Sequence, residues 1–290
     1  MSYTFFPGCS LEGTGADYAL SARAVFAKLG TPLDELEGWI CCGSTPAHNA
    51  SHLLSVALPA KNLQLAAGAN GGSLAVACAA CYSRLKTAVH ELAADAELRA
   101  KVETVTEAPV PTDVAVRHLL QLLLEDLGPD ELAKRVVKPL TGLKVACYYG
   151  CLLVRPPKVM AFDDAERPTS MDRLMTALGA EPVDWPHKTE CCGANLSLSR
   201  ADLVLGLTDK LLASAQAAGA DVLAVACPLC QANLDVRQGD VNARFGRSYA
   251  LPALYFTQLV GVALGCDAAA LGLDKSFVDS RPKLAAWLGA

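Results

Sequence analysis

No run of lysine and arginine interrupts this chain. Its 25 basic and 30 acidic side chains are scattered over 290 residues and leave a net charge of −5. A nucleic-acid surface is therefore not expected. Low-complexity tracts are missing too, and with 52% hydrophobic residues the chain has ample material for a packed core. No apolar segment has the roughly 20 residues that a membrane helix needs. The most apolar late stretch, residues 251–266, carries Gln258 in its middle and reads as a buried amphipathic helix. The opening Met1-Ser2-Tyr3-Thr4-Phe5-Phe6-Pro7-Gly8-Cys9 has neither a basic segment nor a long apolar one. No secretory signal is expected, and the expected compartment is the reducing cytoplasm. Nucleotide chemistry lacks its signatures: there is no Gly-rich fingerprint after a strand, no Walker A sequence and no serine nucleophile elbow. The Cys-x-x-Cys-x-x-Cys spacing of eight-iron ferredoxins is also absent.

What the chain does have is twelve cysteines. That is too few for a disulfide-dense scaffold and too many for incidental core residues. In a reducing compartment, clustered cysteines point to metal ligands or redox groups. Ten of them form a repeat: Cys9, Cys41-Cys42, Cys78 and Cys81, then Cys151, Cys191-Cys192, Cys227 and Cys230. The intervening gaps are 31, 35 and 2 residues in the first copy and 39, 34 and 2 in the second. The neighbours match as well. Phe5-Phe6-Pro7-Gly8-Cys9 parallels Tyr148-Tyr149-Gly150-Cys151, and Cys41-Cys42-Gly43 parallels Cys191-Cys192-Gly193. Val76-Ala77-Cys78-Ala79-Ala80-Cys81 parallels Val225-Ala226-Cys227-Pro228-Leu229-Cys230. Cys147 and Cys266 fall outside the repeat.

The local patterns repeat in step. Residues 3–6 and 144–148 read as short strands running into Gly-Cys turns, and residues 74–77 and 222–226 as short strands ending at a Cys-x-x-Cys. Residues 47–69 and 196–218 have apolar side chains at helical spacing, followed by breaks at Gly68, Gly71 and Gly72 in one copy and Gly219 in the other. The expected fold class is α/β: two pseudo-symmetric repeats with short, mainly parallel sheets flanked by helices. The expected domains are a first cluster-binding half over 1–108, a helical connector over 109–142 with helical patches at 112–126 and 129–137, and a second half with C-terminal helices over 143–290.

A Cys-x-x-Cys at a strand-to-helix turn aims two sulfurs at one point, and the helix N-terminus favours the thiolate. Glycine after the adjacent pair allows a tight turn and brings amide donors to the site. A closed zinc site needs four ligands, whereas each copy here offers five cysteines, two of them adjacent. Neighbouring thiolates chelate one small ion only with strain but can reach different irons of a cluster. An ordinary four-iron cubane takes four cysteines, so the fifth indicates an unusual cluster or a spare redox thiol. Zinc in one or both copies, or disulfide use, remains the alternative.

The duplicated Cys-x31-Cys-Cys-x35-Cys-x-x-Cys pattern resembles the cysteine-rich CCG domain family, and above all the B subunit of heterodisulfide reductase, over nearly the whole chain. The resemblance includes Tyr149-Gly150-Cys151-Leu152-Leu153-Val154-Arg155-Pro156 and the late segment Leu254-Tyr255-Phe256-Thr257-Gln258. It implies a noncubane [4Fe-4S] cluster held by Cys9, Cys41, Cys42, Cys78 and Cys81, and a second held by Cys151, Cys191, Cys192, Cys227 and Cys230. It further implies a disulfide that is reduced, or formed, between the two clusters. The implied partners are cubane iron–sulfur and flavin subunits of a heterodisulfide-reductase-like complex. In sulfur-oxidising bacteria the substrate would be a thiol or lipoate-linked sulfur. The same domains occur in lactate and glycolate oxidation and in quinone-linked complexes, so an electron-transfer subunit is the rival function; a zinc-stabilised scaffold is the non-enzymatic one. The chain departs from the family in having Tyr148 and Leu152 where histidine is common near Cys151, in its extra Cys147, and in its second gap of 34 residues.

Other side chains are weaker candidates. His48 and His187 flank the two Cys-Cys pairs and could donate a proton to a nascent thiolate, or could be ordinary surface or core histidines. Arg155 could hold a substrate carboxylate or phosphate, or form a structural salt bridge. Cys147 and Cys266 read as core residues. Trp39 and Trp185, ahead of the two pairs, could shield the clusters or simply pack.

Overall fold

A computed structural model describes residues 2–69 and 73–288. It contains two four-stranded sheets, and every pairing in both is parallel. In the first, the order is β2 (Leu33–Glu35), β1 (Tyr3–Phe6), β3 (Ser73–Val76) and β4 (Ala115–His118). In the second, it is β6 (Glu181–Pro182), β5 (Lys144–Tyr148), β7 (Val222–Val225) and β8 (Ala253–Tyr255). The expected α/β architecture of two matched, parallel repeats is what the chain adopts. The inner strands are apolar runs, with all four residues of β7 buried, because crossover helices cover both faces of a parallel sheet.

Four helices of the first half matter for the site: α1 (Ala16–Lys28), α2 (Ser44–Ala50), α3 (His52–Gly68) and α4 (Ala79–Ala94). The stretch 47–69, read as one helix, is broken at Ser51. This residue is extended (φ −165°, ψ 138°), and its side chain caps α3 by accepting from the Leu54 amide. In the second half the helix begins later than expected, at Ala201, after a single tight turn over Ala194–Leu196. Gly71 and Gly72, read as a helix break, lie outside the described residues.

Two further readings need correction. Residues 115–118, taken as part of a helical patch, are strand β4; a helix begins only at Leu119. The late stretch 251–266 likewise opens as strand β8 before the helix Phe256–Ala263. Both strands are short and run directly into a helix, so the apolar spacing of the helix masks them. The edge strands β2 and β6, three and two residues long, carry too little pattern to be seen in a sequence.

The halves share one continuous core. Across it, α1 packs on the helix Phe256–Ala263, Ser21 hydrogen-bonds Thr257 at 2.7 Å, and the Tyr18 and Tyr255 rings stack with centroids 4.1 Å apart.

Candidate metal centre

The cysteines lie where parallel α/β sheets place ligands, at the carboxyl ends of the strands. Cys9 follows β1 in a tight turn, Cys41 and Cys42 follow β2, and Cys78 caps α4 after β3. In the second half, Cys151 follows β5, Cys191 and Cys192 follow β6, and Cys227 caps the helix Pro228–Asp235 after β7. The glycines repeat with them. Gly8 and Gly150 have φ of 73° and 65°, and Gly43 and Gly193 both have φ of 78°, a left-handed conformation that side chains disfavour. A Cβ on Gly8 would come within 3.0 Å of Cys81 Sγ, and one on Gly150 within 3.2 Å of Cys230 Sγ. The turn before the first cysteine of each set thus lies against the last cysteine of that set.

Each set has an inner buried trio and an outer pair. Cys42, Cys78 and Cys81 are buried, as are Cys192, Cys227 and Cys230; Cys9, Cys41 and Cys191 are exposed and Cys151 is half-buried. All twelve cysteines are free. Sulfur–sulfur contacts link the sets internally: Cys42 to Cys81 at 3.2 Å, Cys41 to Cys9 at 3.9 Å and Cys192 to Cys230 at 3.5 Å. Amides also face the sulfurs, with Gly193 N–H donating to Cys191 Sγ at 3.3 Å. Proton sharing between neighbouring thiols polarises both sets. The bond from Cys41, then that from Cys81, holds Cys42 down to about 4, and the bond from Cys151 holds Cys191 at about 6. Thiolates, the form that binds metal, are thus favoured at one sulfur of each adjacent pair.

The two sets meet at the midline. Cys78 and Cys227, the first cysteines of the two Cys-x-x-Cys motifs, are both buried and lie close enough to perturb each other's thiols. Directly behind them is His118, the last residue of β4, fully buried. Its Nε2–H points at the carbonyls of Ala77 (2.6 Å) and Ala226 (3.1 Å), the residues preceding Cys78 and Cys227. Its Nδ1 accepts from the Leu120 amide at 3.2 Å. Both nitrogens being assigned, the ring is the neutral Nε2–H tautomer, and burial holds its pKa down to about 4. One imidazole therefore ties together the two loops that carry the Cys-x-x-Cys motifs. The sequence reading passed over His118 because it lies far from every cysteine in the chain. The signal it missed was a histidine at the end of a strand, the position Tyr255 holds in the other half.

The weaker candidates separate. His48 is exposed and makes no side-chain hydrogen bond among the described residues. His187 Nδ1 lies 2.8 Å from Glu190 Oε1, off the line of a hydrogen bond, in a cluster completed by Lys210. Arg155 holds the loop before Cys191: its guanidinium donates to the backbone carbonyl and hydroxyl of Thr189, both at 3.1 Å, and pairs with Glu166 at 2.9 Å. Cys147 is fully buried in β5 and Cys266 is half-buried just after the helix Phe256–Ala263, and neither sulfur bonds a cysteine of the two sets among the described residues. Trp185 donates to the Cys147 carbonyl at 3.1 Å, and Trp39 packs edge-on against Phe6 at 5.5 Å.

Each half offers five cysteines, one more than a single tetrahedral ion takes. The sulfurs make pairwise contacts around each cradle, and the Cβ-less Gly8 and Gly150 leave room against Cys81 and Cys230. Five thiols spread in this way suit a group of several irons, where different sulfurs reach different metals, better than one tetrahedral ion. Cys9, Cys41, Cys42, Cys78 and Cys81 could hold one such group and Cys151, Cys191, Cys192, Cys227 and Cys230 the other. Among the described residues, no helix is long and apolar enough to cross a membrane.

Comparison with known proteins agrees with this geometry. The model of the cysteine-rich (CCG) domain matches twice, over residues 3–86 and 145–235. The chain is 33% identical over 280 residues to the 8-methylmenaquinol:fumarate reductase membrane anchor subunit of Wolinella succinogenes, covering 96% of this chain and 97% of that one. It is 31% identical over 288 residues to the B subunit of the ferredoxin/F420H2-dependent CoB-CoM heterodisulfide reductase of Methanosarcina acetivorans, covering 97% and 95%. Among solved structures, a hypothetical protein from Helicobacter pylori shares the fold with a TM-score of 0.78 at 16% identity. The match covers 96% of this chain and about half, 52%, of that one.

Proposed function

The chain belongs to the cysteine-rich CCG domain family, and from that premise we propose that it is the iron–sulfur catalytic subunit of a heterodisulfide-reductase-like complex. The observation that carries this reading is the pair of complete five-cysteine sets meeting at Cys78 and Cys227. In the proposal each set holds a noncubane [4Fe-4S] cluster, which supplies iron that can engage a substrate sulfur while electrons pass one at a time. The substrate is a disulfide to be cleaved or formed, or a carrier-bound sulfur such as a lipoate thiol to be oxidised. Two neighbouring centres held by these two sets would offer iron to the two sulfurs of one bond, and no side-chain nucleophile would be needed.

The chain's own residues do the rest. The buried trios anchor each cluster from the sheet side and exclude water there. The exposed Cys9, Cys41 and Cys191 mark the side open to substrate. Amides such as Gly193 N–H stabilise negative charge on the thiolates, and His118 keeps the two inner loops in register. Arg155 acts by holding the loop before Cys191. Electrons reach the site when a disulfide is cleaved, or leave it when sulfur is oxidised, through partner subunits that carry cubane clusters and flavin, in the reducing cytoplasm. The expected test result, after anaerobic purification, is about eight irons per chain, an EPR signal from both centres, and consumption of a thiol-derived disulfide with reduced viologen as donor. Stoichiometric zinc without iron uptake would replace this reading with a scaffold.

A second reading has an observation in its favour, the 33% identity to a subunit of a menaquinol:fumarate reductase. In it the same two clusters pass electrons between a quinol and a partner enzyme, or serve lactate or glycolate oxidation, and no sulfur substrate binds. Iron-loaded protein that exchanges electrons with a menaquinol analogue, but leaves disulfides intact, would select it.

A further inference from the structure

Tyr18 in α1 and Tyr255 at the end of β8 come from opposite halves and stack nearly parallel, with centroids 4.1 Å apart and 11° between the planes. Both rings are fully buried. Both hydroxyl groups are buried as well and have no hydrogen-bond partner among the described residues. A buried donor left unpaired costs about 1–3 kcal/mol, so two of them side by side need a reason. Phenylalanine would fill the same space without the penalty, and the neighbouring ring, edge-on to Tyr18 at 6.1 Å, is indeed Phe256.

Their surroundings locate the hydroxyls. A Cβ built on Gly15 would lie 3.3 Å from the Tyr255 hydroxyl and 3.0 Å from Cβ of Pro228, the residue that follows Cys227. The Tyr255 hydroxyl and the Cys-x-x-Cys turn of the second half therefore both border Gly15. Both phenols are held protonated, by burial above all. The next contributors are Cys227 and Cys78 for Tyr18, and Asp17 and Cys227 for Tyr255. The pair thus lies beside the place where the two cysteine sets approach each other, and it offers O–H donors there.

We propose that, once the centres are loaded, Tyr18 and Tyr255 would donate their unused hydrogen bonds to sulfur at the junction of the two centres, and that this pair raises the reduction potential there. The proposal rests on the iron–sulfur reading above. Hydrogen bonds to thiolate or sulfide stabilise the more negative, reduced state, so adding donors raises a cluster's potential and removing them lowers it. The hydroxyls take no part in proton transfer. Placed between the halves, one pair of side chains acts on both centres at once.

The test uses the full chain, loaded with iron anaerobically, as wild type, Tyr18→Phe, Tyr255→Phe and the double variant. Iron content is measured first. Loss of the two hydroxyls is expected to lower the ratio of reduced to oxidised centre by about tenfold at fixed ambient potential, or about 59 mV for a one-electron couple. Exchangeable-proton couplings seen by pulsed EPR after transfer to D2O should weaken in each single variant and disappear in part in the double one. Tyr3→Phe is the control, because the Tyr3 hydroxyl donates to Asp126 at 2.6 Å and should leave both readouts unchanged. Full iron loading with unchanged potentials and couplings in the double variant would overturn the proposal while leaving the cluster reading intact. A wild-type chain that takes up no iron would overturn both.

Discussion

In the first half the chain passes from Cys9 directly into α1, and the outer cysteines Cys9 and Cys41 both stand exposed. In the second half a long loop with the short helix Pro157–Met160 follows Cys151, and that cysteine is half-buried. The loop reaches across to the other half: the Met160 carbonyl accepts from Lys86 at 2.6 Å and from the Tyr82 hydroxyl at 3.3 Å, both on α4. A cavity lined by Cys151, Cys191, Leu152 and Leu229, with Ala79 and Ala80 of the first half, opens over the second set. The inner geometry shows no such divergence. Both Cys-x-x-Cys motifs cap a helix, both Cys-Cys pairs precede a left-handed glycine, and both buried trios are complete. The lesson is that the constraint lies deep in each cradle, where sulfur, strand end and helix start must coincide. Access from outside is free to differ between the halves.

The sharpest way to break this comparison is to remove one inner sulfur from each half. Cys81→Ser and Cys230→Ser should each lower the iron content of anaerobically purified protein from about eight to about four per chain. A loss of all iron from either variant would mean that the centres assemble as one unit. Removing the shared element should come next in size. His118→Phe leaves the carbonyls of Ala77 and Ala226 and the Leu120 amide without their buried partner, a cost of several kcal/mol at about 1–3 kcal/mol per group. Denaturant unfolding would measure it, and both halves should lose stability together. His118 also predicts a pH dependence. Its folded pKa of about 4 lies below the roughly 6.5 of an unfolded histidine. Its contribution is present above pH 6.5 and declines as pH falls towards 4, because the unfolded chain takes up the proton first. His118→Phe should flatten that part of the pH profile; an unchanged slope would assign it to other groups. The smallest effect is the Gly8 and Gly150 pair. Alanine at either position meets the left-handed penalty of about 1–2 kcal/mol and a sulfur, nearer at Gly8 (3.0 Å) than at Gly150 (3.2 Å). Gly8→Ala should therefore lower the melting temperature and iron content more than Gly150→Ala, and equal losses would show that the two turns are interchangeable.

Much of this was legible in the chain before any fold was known, because the determinants are local. A Gly-Cys turn, a Cys-Cys-Gly and a Cys-x-x-Cys each carry their own conformational and chemical meaning, and their recurrence in the same order made the two halves, the parallel α/β plan and the ten clustered cysteines visible. Strands β1 and β5 could be read residue for residue, since each is an apolar run ending at a glycine turn. Strands β4 and β8 could not, because strand and helix share one apolar stretch there and only pairing with β3 and β7 separates them. The midline could not be read at all. His118 and Ala226 are 108 residues apart and Tyr18 and Tyr255 lie in opposite halves. Nothing in the sequence near any of them records the partner. Sequence by itself determined which ten cysteines repeat and in what order. Only the tertiary structure decided that the two sets approach each other at Cys78 and Cys227 with one imidazole and two phenols nearby, because burial and hydrogen-bond satisfaction depend on what the rest of the chain brings to the same point.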